Sequence, residues 1–205
     1  MINLFISYYI DKSTARQKEL DDTLLMNINC DAINKIYALT DGAIESPLLE
    51  NDKVMELVYK ARPSYNTFFE AIRSFSSDED WNIIANSDIY FDETIAKIYE
   101  YPHTKPLCFA LTRWEVEKDS IHFLNRWDSQ DCWIFKGKPK NVQGNFNMGV
   151  AGCDNAIAER FSRAGYNVIN PSKTIKTYHL HKSGVRSYNP NFRAPQPYKL
   201  LTPTI

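Results

Sequence analysis

The chain has 205 residues, 43% of them hydrophobic and 13% aromatic, enough to build one sizeable core in one domain. A net charge of -1 argues against a nucleic-acid platform, and no apolar run approaches the roughly 20 residues that span a bilayer. The start, Met1-Ile-Asn-Leu-Phe-Ile, has no leader pattern and reads as a strand. Cys30, Cys108, Cys132 and Cys153 contain no Cys-x-x-Cys pair, so they are expected as reduced core thiols of a cytoplasmic protein rather than as a zinc site. The charge is unevenly spread. Acids gather at Asp78, Glu79, Asp80, Asp88, Asp92 and Glu93, whereas the chain after Glu159 carries only bases, among them Lys173, Lys176, Lys182 and Arg186. That bias suits a solvated surface, or an acidic metal site facing a basic segment that closes over phosphates.

Asn3 to Ile10 is a first strand, and Thr14-Ala-Arg-Gln17 fits a capping box opening a helix with Leu20, Leu24 and Ile28 at four-residue spacing. Lys35 to Leu39 is the second strand, closed by the turn signal Thr40-Asp41-Gly42. Strand, helix, strand is how a parallel nucleotide-binding sheet begins. No glycine-rich phosphate loop accompanies it, which argues against dinucleotide-binding and P-loop proteins. Val54 to Tyr59 fits a strand or a helical turn equally. Pro63 disfavours helix at Arg62, so Arg62 and Tyr65 belong to the loop before a helix whose inner face is Phe68, Phe69, Ile72 and Phe75.

Ile83-Ile84-Ala85 then reads as a buried strand that breaks into Asn86-Ser87-Asp88. In open α/β sheets ligands bind beyond the carboxyl ends of the strands, although Asn, Ser and Asp also make an ordinary turn. Residues two apart on a strand face one way, about 6–7 Å apart, so Asn86 and Asp88 can converge on one ligand. Asp92 would lie about 13 Å from Asp88 along extended chain, and with Glu93 it is expected to cap a following helix, Glu93 to Tyr99. Pro106 to Thr112 is a strand ending at the polar Arg113-Trp114-Glu115, and Glu117 to Arg126 is expected as a loop or flap. Asp128 and Asp131 flank Gln130 before the strand Cys132 to Phe135, as sugar-recognising carboxylates or as a solvated loop. Asp154 opens a helix expected over Asn155 to Ala164, with Ile157, Phe161 and Ala164 inward, either as its N-cap or as a functional acid. His179 and His181 share a face of an extended segment, and Asn189 to Ile205 is a proline-rich tail.

The stretch from Trp81 to Asp92 resembles the Asp-x-Asp metal motif of GT-A-type glycosyltransferases, with Asn86 in place of the first Asp. More weakly, the resemblance covers most of the chain. It implies a small single-domain α/β protein with a Rossmann-like, mostly parallel central sheet flanked by helices, spanning residues 1–188, with the tail 189–205 packed on it. It implies metal-dependent transfer of a sugar from a nucleotide-sugar donor, a UDP-sugar, to a carbohydrate or other hydroxyl acceptor. Asp88 and a late histidine, His181 in preference to His179, would hold Mn²⁺ or Mg²⁺. Ser7, Tyr8, Tyr9, Thr40 and Asp41 would cradle the nucleoside, with Asn86 at the ribose or a metal-bound water and Ser87 at the ribose. Arg62 would contact the diphosphate or Tyr65 flank the uracil, and Lys182 and Arg186 would neutralise the leaving diphosphate. Arg113, Gln130, Asp131 and Gly152 would meet sugar or acceptor, and Asp154 would be the general base of an inverting reaction. The alternatives are a retaining transferase with the same donor site and a catalytically weak carbohydrate- or nucleotide-binding module. The missing N-terminal glycine motif weighs against sugar-nucleotide pyrophosphorylases.

Overall fold

The computed structural model describes residues 1–102, 105–118, 120–184 and 192–205. The first half runs β1 (Ile2–Ser7), α1 (Thr14–Ile28), β2 (Lys35–Thr40), β3 (Val54–Val58), α2 (Tyr65–Phe75), β4 (Trp81–Ala85) and β5 (Ile89–Phe91). A 3-10 helix (Glu93–Glu100) leads to β6 (Leu107–Leu111), β7 (Trp114–Val116), β8 (Ile121–Phe123) and β9 (Cys132–Lys136). The chain then forms α3 (Cys153–Arg163), β10 (Asn167–Ile169) and β11 (Thr177–His179).

Seven strands make one sheet in the order β10-β6-β9-β4-β1-β2-β3, parallel throughout except for β9. Side chains alternate across a strand, and here both faces are covered. Phe5, Tyr37, Ile84, Trp133 and Phe135 point to α2 and α3, where Phe68, Phe69, Ile157 and Phe161 meet them. Leu4, Ile6, Ile36, Ile83 and Ile134 point the other way, onto Leu20 and Leu24 of α1 and Ile95 and Ile98 of the 3-10 helix. That double burial is why these strands read as apolar runs rather than as alternating patterns.

A second, smaller sheet has the order β5-β11-β7-β8. It is joined to the first by the three residues between β4 and β5, namely Asn86, Ser87 and Asp88. Asn27 of α1 straddles the β5 backbone, donating to Ile89 O and accepting from Phe91 N, and so fixes α1 against this sheet. The last residues lie across the loops of the large sheet: Ala194 N–H donates to Ala151 O, Lys199 N–H to Asn155 O and Leu201 N–H to Trp127 O.

Several boundaries differ from the sequence reading. The cap of α1 is Ser13, one residue earlier than expected, with its hydroxyl accepting from Arg16 N–H, while the Gln17 side chain accepts from Asp11 N–H. Phe75 is 44% exposed rather than inward, because it is the last residue of α2 and lies over Tyr37 at the sheet edge. The polar stretch after Glu117 contains β8, which hairpins onto β7. Val54 to Val58 is strand, paired with β2. Asp92 does cap the helix after it, accepting from Thr94 N–H. α3 starts at Cys153, and its cap is Gly152 in the left-handed region (φ 75°), with no side-chain cap bond. Asp154 is therefore the second helical residue, and its carboxylate is not spent on capping. All four cysteines are unpaired and buried. Among the described residues no helix is long and apolar enough to cross a membrane.

Candidate active site

The small sheet brings the site together by backbone register. β11 lies between β5, which it meets antiparallel, and β7, which it meets parallel. That pairing sets His179 beside Ile89 on one side and Glu115 on the other. Leu180 N–H donates to Asp88 O, so the ladder continues to the acid itself. Oδ2 of Asp88 lies 3.3 Å from Nε2 of His179 and 3.5 Å from Nδ1 of His181. Ligand atoms that each sit about 2.0–2.2 Å from one divalent ion have comparable mutual spacing. Nε2 of His181 is buried with no hydrogen-bond partner among the described residues, and Nδ1 of His179 is bonded to Glu115 Oε2 at 2.6 Å. A carboxylate behind a histidine is the usual outer support of a metal-binding imidazole. Asp88, His179 and His181 thus fit a divalent cation.

From Glu115 a chain of ion pairs continues along the cleft. Glu115 Oε1 accepts from Arg113 Nε at 2.7 Å, and Arg113 Nη1 bridges both oxygens of Asp131 at 2.9 and 3.0 Å. Asp131 also accepts from the Asn86 amide at 3.0 Å. On the other side of Asp88, Arg16 Nη2 donates to the same Oδ2 at 2.6 Å. Arg16, Asn86, Asp88, Arg113, Asp131 and the two histidines line a cleft of about 360 Å³, together with Asp154 and the stretch from Gly149 to Gly152, while Glu115 stands behind it. That loop requires its glycines. Gly149 has φ 76°, and a Cβ there would lie 2.9 Å from the Arg62 guanidinium, which donates to Met148 O at 2.8 Å. A Cβ on Gly152 would lie 2.9 Å from the Tyr198 hydroxyl. Ser7, Tyr9, Arg62 and Pro63 are shared with a second cavity of about 460 Å³, which also takes in Tyr8, Asp41 and the turn after β1.

Charge in the cleft is set by these contacts. Burial works against the Asp88 carboxylate, but hydrogen bonds from His179 and His181 and the neighbouring charges hold its pKa well below the ordinary range. Burial likewise opposes charge on His179, and hydrogen bonds to Asp88 and Glu115 outweigh it, lifting His179 to about 9. Glu115 drops to about 2, because the bonds from His179 and Arg113 exceed the cost of its burial. Asp154 moves the other way, to about 7, through burial and then the charge of Asp131.

These shifts predict a pH dependence for the metal-free protein. Glu115 stabilises the fold above its ordinary 4.5 and loses that contribution as the pH falls toward 2. His179 contributes fully below its ordinary 6.5 and loses it as the pH rises through 9. Asp154 opposes folding increasingly between 3.8 and 7. The melting temperature should therefore fall from about pH 6 to about pH 9. A steady rise over that interval in a thermal melt with chelator would contradict the cluster.

No protein-family model matches the sequence, and no curated protein matches it. Solved structures do match its shape. TarS from S. aureus, crystallised with UDP-GlcNAc, superposes with a TM-score of 0.60 at 10% identity over 92% of this chain and 61% of that one. The mannosyltransferase PcManGT from Pyrobaculum calidifontis, in complex with GDP-Man and Mn²⁺, gives 0.59 at 11% identity over 89% of this chain and 58% of that one. The chain has the GT-A fold. It spans about three-fifths of the length of these two glycosyltransferases. An inositol-1-phosphate CTP transferase from T. maritima also matches, with a TM-score of 0.51 at 8% identity, over 90% of this chain and 91% of that one.

Within this GT-A fold the expected site residues do not all gather. Ser7, Tyr9, Arg62, Asn86, Ser87, Asp88, Arg113, Asp131, Gly152, Asp154 and His181 line the cleft, and Tyr8 and Asp41 line the adjoining cavity. The Ser87 hydroxyl is engaged by Ser7 O at 2.5 Å and the Asn86 amide by Asp131, so both hold the turn. Three residues expected to touch ligand are instead core. Thr40 is fully buried and donates to Glu56. Tyr65 is fully buried with its ring edge-on to Trp133, because it is the first inward residue of α2 rather than part of the loop. Gln130 is fully buried and donates to Trp127 O. Lys182 is exposed, and its backbone N–H is held by Glu19. Arg186 lies outside the described residues. Both histidines, not one, reach Asp88. Arg16 and Glu19 escaped the sequence reading, since nothing local marks a helical pair that closes on residues 72 and 164 positions away.

Proposed function

We propose that the protein is a metal-dependent glycosyltransferase that moves a sugar from a nucleoside-diphosphate donor, a UDP-sugar, to a hydroxyl acceptor with inversion. What carries the reading is one cleft holding a cation-binding trio, Asp88, His179 and His181, together with a carboxylate, Asp154, poised near neutrality. The donor ligands named for the two matched glycosyltransferases, UDP-GlcNAc and GDP-Man with Mn²⁺, support it. The nucleoside occupies the 460 Å³ cavity beyond β1, against Tyr8, Tyr9 and Asp41. Its diphosphate reaches the cleft past Arg62 and Ser7, which line both spaces. A bound Mn²⁺ or Mg²⁺ supplies positive charge to offset the leaving diphosphate. Arg113 and Asp131 meet sugar hydroxyls, the guanidinium donating and the carboxylate accepting. Asp154 takes the proton from the acceptor hydroxyl, and a pKa of about 7 suits a base at neutral pH.

A second reading, nucleotidyl transfer, is favoured by the near-complete mutual coverage with the CTP transferase. Tyr8 and Tyr9 stand against it, at the end of β1 where a glycine-rich phosphate loop would be needed. A thermal-shift series separates the two. UDP should stabilise the protein by about 2.7 kcal/mol at a hundredfold excess over its dissociation constant, and more with Mn²⁺ present. No shift with any nucleoside diphosphate, with or without metal, would remove the transferase reading. Stabilisation by CTP alone would favour the second.

A further inference from the structure

Asp88 Oδ2 is approached by three donors at once: His179 Nε2, His181 Nδ1 and Arg16 Nη2, with Arg16 closest at 2.6 Å. One carboxylate oxygen has about two lone-pair sites, so it cannot keep all three partners and also accept an ion. Arg16 is 7% exposed and lines the cleft. Its other nitrogen, Nη1, donates to Glu19 Oε2 at 3.1 Å. Glu19 is itself immobilised, accepting the N–H of Lys182 at 2.6 Å, the N–H of Ser183 at 2.5 Å and the Ser183 hydroxyl at 2.9 Å. The guanidinium is therefore gripped from behind by a fixed carboxylate and held in front by the acid that a metal would need. With Asn86 neutral and turned to Asp131, no second carboxylate of the strand end compensates for this cation.

We propose that Arg16 is a cation built into the diphosphate site, which competes with the metal for Asp88 and passes to phosphate when the donor binds. This rests on the transferase reading above. A planar guanidinium with spare donors is matched to phosphate oxygens, and Glu19 keeps it in place when Asp88 lets go. The arrangement makes the site weak for free metal and able to hold a nucleoside diphosphate without one. Metal and donor then assemble together rather than metal first.

Titration of Mn²⁺ alone, and of UDP in chelator, into wild type and Arg16→Gln tests this. Removing a unit charge beside Asp88 should tighten free Mn²⁺ by about tenfold or more, since the interaction is close and partly screened from water. The same change should weaken UDP in chelator by about tenfold or more, because a charged hydrogen bond to phosphate is lost. Equal or weaker Mn²⁺ binding by Arg16→Gln would overturn the competition and leave Arg16 as a support for Asp88. Unchanged UDP binding would overturn the phosphate role. Should Arg16→Gln not fold, Arg16→Met carries the test: it keeps an apolar stem of similar reach but removes the charge and every donor, so both constants should move in the same directions. If wild type binds neither ligand, the transferase reading itself fails. If it binds both and the Arg16 variants match it, only the role of Arg16 fails.

Discussion

Asp154→Asn should lower transfer by about 10²–10⁴-fold, the usual worth of a positioned general base, with donor binding unchanged. The same variant should melt at a higher temperature than wild type at about pH 8. The sign follows from the raised pKa. Above about 7 the folded protein holds a charged carboxylate that burial and Asp131 disfavour, whereas the unfolded chain ionises it freely from 3.8. Asn removes that cost, and no cap is lost, because Gly152 is the cap of α3. The stability gain should shrink as the pH falls and vanish near the unfolded pKa. In wild type, transfer should fall about tenfold per unit below about pH 7, as Asp154 is protonated. Near-normal transfer by Asp154→Asn, or retention of anomeric configuration in the product, would move the retaining mechanism ahead.

Asp88→Ala and His179→Ala should each abolish the extra stabilisation that Mn²⁺ gives to UDP-bound protein, and with it most transfer. Glu115→Gln is the more discriminating change. It keeps an oxygen opposite His179 Nδ1 but removes the charge, and loss of such outer support costs about 10–100-fold in metal affinity. A calorimetric titration of Mn²⁺ in the presence of UDP reads all three variants. If Glu115→Gln binds metal as wild type does while His179→Ala does not, the imidazole is held by the β11 backbone alone. If His179→Ala also binds normally, the trio is a structural ion-pair cluster and the proposed metal site falls.

The large sheet was legible because burial on both faces leaves a strong mark. Ile83-Ile84-Ala85, Leu107 to Leu111 and Cys132 to Phe135 are unbroken apolar runs bounded by polar residues. Asp88 could be found for the same reason, as the acid just past such a run. The small sheet was harder to see. β7, β8 and β11 are three residues each, too short for a period to show, and their residues are half polar. Glu115 was visible as a polar residue near a strand end, but its bond to His179 spans 64 positions and has no local sign. Tyr65 and Gln130 were misplaced because a hydroxyl and an amide look like surface groups, and both are enclosed by the fold. Asp154 as the cap of α3 was a reasonable expectation from residue type. Left-handed backbone at Gly152 took that position instead, which is what leaves the acid to the cleft.

Because β11 is an interior strand of the small sheet, His179 owes its place to amide hydrogen and carbonyl pairs on both sides. Those groups are supplied by every residue except proline, so the ladder itself makes no demand on side-chain identity; packing makes that demand, with Ile89, Phe91 and Thr177 buried. A side-chain change in such a strand spares the register and is felt instead at the buried positions and at Glu115, which holds the imidazole from behind. The exception is specific: proline at Tyr178, which would unzip one ladder and swing His179 off its partner, should disable the site more completely than any change of that tyrosine's ring.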